Sequence, residues 1–139
     1  MTRYRHLFVL STAALTLSFF AVSVPSSAAE SGAQTYQHNC AGCHGSDGRG
    51  NGPEVDIIPG IKPPDLTLLS KRHGGKFPFQ EVEDWIDGRK GVPSHKRFDM
   101  PFWGVNLQEP GKEFTPASEA KVKARIDTVV QYIESIQRE

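Results

Sequence analysis

The sequence predicts an all-α domain of three to five helices, and three observations carry that reading. A single apolar stripe runs along the C-terminal stretch at helical spacing. Shorter segments bounded by caps and glycines precede it. No strand pattern of any length appears. With 13 glycines and 10 prolines among 139 residues, the intervening chain is punctuated often, so the helices should be short.

The C-terminal element is the best patterned. Thr115 is placed as its N-cap, Pro116 takes the first helical position, and Glu119 falls near the positive end of the helix. Val122, Ile126, Val129, Ile133 and Ile136 recur in steps of four and three, which puts them on one face. Lys121, Lys123, Arg125, Gln131 and Glu134 fall on the opposite, wet face.

Phe79 to Asp87 reads as a short helix. Phe79, Val82, Trp85 and Ile86 line one side and Gly88 stops it. Asp65 can cap another short helix that Gly74-Gly75 ends. At the front, Ser31 is a plausible cap for a helix in which Ala33, Tyr36 and Cys40 share a face, and which runs into Cys40-Ala41-Gly42-Cys43-His44. Gly45 to Pro53 is too rich in glycine for regular structure. With no strand before it and no helix after it, it is not a phosphate loop. Arg89 to Gly111 reads as a long loop with three prolines, and loops of that length in small domains are usually functional.

The chain opens with Arg3, Arg5 and His6, then an uncharged run from Leu7 to Val24, then Pro25-Ser26-Ser27-Ala28-Ala29. That is the form of a secretory signal peptide cut after Ala29, so residues 1–29 are expected to be removed and 30–139 to form the domain. Retention as a membrane anchor is the alternative, since the run is at the lower edge of a span. Removal takes away two arginines and no acid, leaving 14 basic against 16 acidic side chains. No basic stripe for nucleic acid remains.

The two cysteines carry the chemistry. C-x-x-C-H is the attachment run of a c-type haem. On a helical turn Cys40, Cys43 and His44 share one face. Two thiols can then add to the haem vinyl groups while the imidazole reaches the iron. A thiol redox pair is one competitor, but it should sit inside a βαβ pattern. A zinc site of three or four cysteines is impossible with two. A site of two cysteines and two histidines stays open, although no H-x-x-x-H spacing follows.

A second axial ligand is sought among the remaining donors. Met100 is the only methionine left after residue 29, and it lies in the long loop before Pro101-Phe102-Trp103-Gly104. Against it stand His95 in the same loop, His73 in a turn, and His38, which the helix directs away from the haem face. A thioether favours ferrous iron and raises the potential, and with both axial positions filled the iron has no open site for substrate.

With these motifs in place, residues 30–139 resemble a class I monohaem cytochrome c. The likeness rests on Cys40-Ala41-Gly42-Cys43-His44-Gly45, Gly52-Pro53, Pro63-Pro64-Asp65-Leu66, Gly74-Gly75-Lys76-Phe77-Pro78, Asp99-Met100-Pro101-Phe102-Trp103-Gly104 and the terminal helix. It implies one haem c on Cys40 and Cys43, with His44 as proximal and Met100 as distal ligand. It also implies that the Pro53 carbonyl accepts the Nδ1–H of His44, that Arg89 and Trp103 lie near the propionate edge, and that the first and last helices cross; from position, Tyr36 against Tyr132 or Ile133 is the candidate contact.

The function implied is that of a non-enzymatic carrier of single electrons in the periplasm. Its partners would be other redox proteins: a quinol-oxidising complex, a periplasmic dehydrogenase or a terminal oxidase. A dedicated subunit of one oxidoreductase, a haem enzyme or gas sensor with displaceable Met100, and a thiol oxidoreductase are the alternatives.

Overall fold

The computed structural model describes residues 30–90 and 100–139. The leader and its cleavage site, and with them His95, lie outside these residues. The described chain forms α1 (Gly32–Asn39), α2 (Ala41–His44), a 3-10 turn (Leu66–Leu68), α3 (Leu69–Arg72), α4 (Phe79–Asp87), α5 (Trp103–Asn106) and α6 (Pro116–Ser135). No strand occurs among the described residues.

Local chemistry sets most of the boundaries. Ser31 and Gln34 form a reciprocal capping box at α1, and Thr115 with Ser118 forms another at α6. Asp65 accepts from the Thr67 backbone N–H at 2.9 Å and starts the 3-10 turn. Gly88 ends α4 in a left-handed conformation, as its position after Asp87 suggests.

Helix α6 is the spine. Val122, Ile126, Val129, Val130 and Ile133 are all buried along it, while Ile136 is only half-buried at its end. Val130 lies beside the stripe read from the sequence, so the apolar face is wider than one row. Helix α1 packs directly on α6, α4 packs on it too, and α5 touches both α4 and α6. The contact of α1 with α6 depends on Gly32, because a Cβ there would overlap the Thr128 carbonyl. Four residues on, Tyr36 is fully buried and its ring centre stands 5.0 Å from that of Tyr132, one of the two contacts expected from position.

Two polar links hold the periphery. Buried Glu83 of α4 is met by Lys123 Nζ at 3.0 Å and by Gln80 Nε2 at 2.9 Å, so its carboxylate is satisfied. At the end of the chain, Gln137 Nε2 donates to the Leu66 carbonyl at 2.7 Å, and the Arg138 N–H donates to that of Thr67 at 2.8 Å. The residues after α6 therefore tie down the 3-10 turn.

Two elements differ from the expectation. The first helix does not run through the cysteine motif, because the chain breaks at Cys40 and α2 starts afresh. The stretch from Arg89 to Gly111 is not all loop, because Trp103–Asn106 forms one turn of helix.

Candidate functional site

The attachment run forms its own helical turn, held at both ends by backbone bonds. Cys40 N–H donates to Tyr36 O at 2.8 Å, and His44 N–H donates to Cys40 O at 2.9 Å. Such a turn leaves its last carbonyls without partners. The glycine loop supplies them: Gly50 N–H donates to His44 O at 2.7 Å, Gly52 N–H to Cys43 O at 3.1 Å and Glu54 N–H to Gly42 O at 2.9 Å. Gly45, Gly48 and Gly50 take positive φ of 78–80°, which lets the loop fold back this tightly. Tyr36 Oη donates to Gly45 O at 2.8 Å and ties the turn to the core.

Cys40, Cys43 and His44 face a cavity of about 660 Å³. Its walls are mainly apolar and include Val82 and Ile86 of α4, Leu66 and Leu69, and Ile133 of α6. Met100 and Trp103 line the same cavity. Trp85 lines it as well while remaining 37% exposed, so this ring stands between the cavity and solvent. Residues far apart in sequence thus converge, and every donor the motif supplies points to one space with Met100 among its neighbours.

The surroundings hold both thiols in the protonated form. Burial pushes the Cys40 thiol up to about 12. Burial and then the Glu54 carboxylate, 3.2 Å from Cys43 Sγ, push the Cys43 thiol up to about 11. Reactive redox pairs have lowered values, and the shift here runs the other way. Among the described residues no group of three or more His, Cys, Asp or Glu converges on a metal position, so nothing completes a zinc site around the pair.

His44 is 9% exposed, and its Nδ1 is buried without a hydrogen-bond partner. Burial lowers its pKa, against a smaller opposing pull from the Pro64 carbonyl. A buried, neutral imidazole on an apolar cavity is suited to bind a metal through a ring nitrogen. The donor set, the apolar walls and the size of the cavity fit a haem.

Pro53 and Arg89 stand apart from the cavity. Pro53 is exposed and lines a separate shallow depression with Gln37 and Asn51. The backbone carbonyl that acts on His44 is that of Pro64, brought there as the glycine loop doubles back and Leu66 N–H donates to Gly48 O at 2.7 Å. Arg89 does not line the cavity. Its guanidinium is spent on Asp87 and Glu119, at 2.8 Å each. Trp103 does line the cavity, next in the chain to Pro101 and Phe102 after Met100.

Among the described residues, the other two histidines have partners. His73 is at the cavity wall, but its Nδ1 donates to Leu69 O at 2.8 Å and its Nε2 stands 3.3 Å from Glu81. His38 touches the cavity rim rather than pointing wholly away, and its Nδ1 pairs with Glu30 at 2.5 Å.

This geometry, an all-helical shell around a C-x-x-C-H turn and an apolar cavity, defines a haem-binding domain. The family model described as Cytochrome c matches residues 29–137, and the chain belongs to the cytochrome c family. It binds haem c covalently through Cys40 and Cys43 and serves haem-based electron transfer. Comparisons with curated proteins and with solved structures gave no match. Among the described residues, no helix is long and apolar enough to cross a membrane.

Proposed function

We propose that this chain is an exported carrier of single electrons, with His44 and Met100 as the two axial ligands of its haem c. The observation that carries the proposal is the placement of Met100 on the same cavity as Cys40, Cys43 and His44. When bound, haem c supplies a one-electron ferric/ferrous couple. The protein does the rest. Cys40 and Cys43 would hold the ring in one orientation, and His44, acted on by the Pro64 carbonyl, would supply an imidazole to the iron. Met100 would supply a neutral sulfur, which would exclude exogenous ligands and favour the ferrous state. The apolar walls would limit water at the iron and rearrangement on electron exchange.

The basic N-terminus, uncharged run and small-residue site support export to the periplasm after cleavage at Ala29. Partners of the kind suited to this role are a quinol-oxidising complex, a periplasmic dehydrogenase or a terminal oxidase, met in small and transient contacts.

Carbon monoxide titration of the ferrous protein tests the carrier reading. Slow, weak binding at neutral pH is expected, and rapid, tight binding would overturn it in favour of an open-site enzyme or sensor. Replacing Met100 by His tests the ligand itself. Met100→His should lower the reduction potential and keep six-coordinate iron; an unchanged potential means Met100 is not a ligand.

A further inference from the structure

We propose that the Asp87–Arg89–Glu119 ion-pair cluster is a positioning device for Met100, locking the chain on either side of that residue against α4 and α6. The proposal rests on the reading of Met100 as the distal ligand. Arg89 Nε and Nη2 each donate to one oxygen of Asp87 at 2.8 Å, a bidentate fork, and the Arg89 backbone N–H donates to Asp87 Oδ1 at 3.1 Å. The third arm, Nη1, donates to Glu119 Oε1 at 2.8 Å, in the first turn of α6. The guanidinium carbon also stands 5.7 Å from the centre of the Phe114 ring. One side chain thus joins the end of α4, the segment before α6 and α6 itself.

The link to Met100 is Gly104. This buried residue of α5 has no side chain, and a Cβ on it would overlap Arg89 Nε and lie 2.6 Å from Asp87 Oδ1. Helix α5 therefore lies flush on the ion pair. Met100 sits between Arg89 and Gly104 in the chain, and both flanks meet at the same guanidinium. Trp103, beside Gly104, lines the cavity with Met100. A neutral thioether brings no charge of its own to the bond, so its position depends on what holds the backbone around it. The carboxylate of Asp87 is held below the usual range, first by its hydrogen bond from Arg89, consistent with a tight pair. A pair that is 29% and 14% exposed is also better shielded from solvent than the other surface pairs.

The alternative is that the cluster only stabilises the fold. The two are separated by spectroscopy and ligand binding on the oxidised holoprotein, with global stability followed in parallel. Arg89→Lys keeps the charge but loses the fork, and Gly104→Ala pushes α5 off the pair. Both should weaken the far-red sulfur-to-iron charge-transfer band. Both should also tighten imidazole binding about tenfold, because the fraction of protein with Met100 displaced rises. Lys123→Gln is the control: it breaks the Glu83–Lys123 pair between α4 and α6 without touching α5. It should lower stability and leave the band and the imidazole affinity at wild-type values. If Arg89→Lys proves too unstable, Glu119→Ala removes one exposed arm only and should shift imidazole affinity in the same direction. Unchanged band and affinity in the Arg89, Gly104 and Glu119 variants would overturn the proposal, as would an equal change in Lys123→Gln. A wild-type protein without the band would instead overturn the reading of Met100 as a ligand, on which this proposal rests.

Discussion

Single residues decide how firmly the attachment turn is seated. Tyr36 is the clearest case, a fully buried ring whose hydroxyl donates to the Gly45 carbonyl at 2.8 Å, at the first residue past His44. Tyr36→Phe keeps the ring stacking and leaves that carbonyl with one partner fewer in a buried place. The expected cost is about 1–3 kcal/mol, read as a lower denaturant midpoint for the holoprotein with an unchanged slope. Residues of this kind were only partly legible. Cys40, Cys43 and His44 declare themselves because their spacing is local and their chemistry has one common purpose. Tyr36 could be assigned to the core by helical spacing, but its hydroxyl partner arises from the fold-back of the glycine loop. Pro64 was missed for the same reason. Which carbonyl reaches His44 depends on how the chain between His44 and Pro64 doubles back, and no periodicity encodes that path. Arg89 shows a further limit, because a lone basic residue near a loop says nothing about which acids will meet it.

At the level of elements, helix limits followed from short-range chemistry and helix contacts did not. The caps at Ser31, Asp65 and Thr115 and the stop at Gly88 lie where the sequence places them, because each depends on residues within one turn. Helix α5 was not legible. It is a single turn in proline-rich surroundings, too short to show a period, and it rests on α4 and α6 rather than on its own propensity. The closeness of α1 and α6 was implied by family likeness, but the residue that permits it, Gly32, carries no local signal. Gly32→Ala places a methyl against the Thr128 carbonyl and should cost about 1–3 kcal/mol or more, despite the better helix propensity of alanine. Thr115→Ala, which removes a cap and no contact between helices, should cost only about 1 kcal/mol. Chemical denaturation of both variants checks the order; a neutral or stabilising Gly32→Ala would mean the two helices do not approach this closely.

For the molecule as a whole, the cavity sets the terms of stability. About 660 Å³ of largely apolar-walled space opens onto Cys40, Cys43 and His44. Apolar walls that face water instead of a bound group forgo burial that stabilises a fold by about 25 cal/mol per Å². The whole stability of a typical domain is only about 5–15 kcal/mol, so that loss weighs heavily. A chain that cannot attach its cofactor should therefore not retain this structure. Cys40→Ser with Cys43→Ser is expected to abolish the cooperative fold rather than only the colour. Far-ultraviolet circular dichroism checks this, and a stable helical double variant would show that the polypeptide alone suffices.

The pairing of α1 with α6 also bears on when the domain can close. The segment Gly32–Asn39 is made first and Pro116–Ser135 last, so their contact spans most of the domain and must await nearly the entire polypeptide. Until Thr128 and Tyr132 emerge, the side of α1 that bears Gly32 and Tyr36 has nothing to lie against. The attachment turn follows α1 directly and is tied to it through Tyr36, so its seating on the core is completed only when the final helix docks.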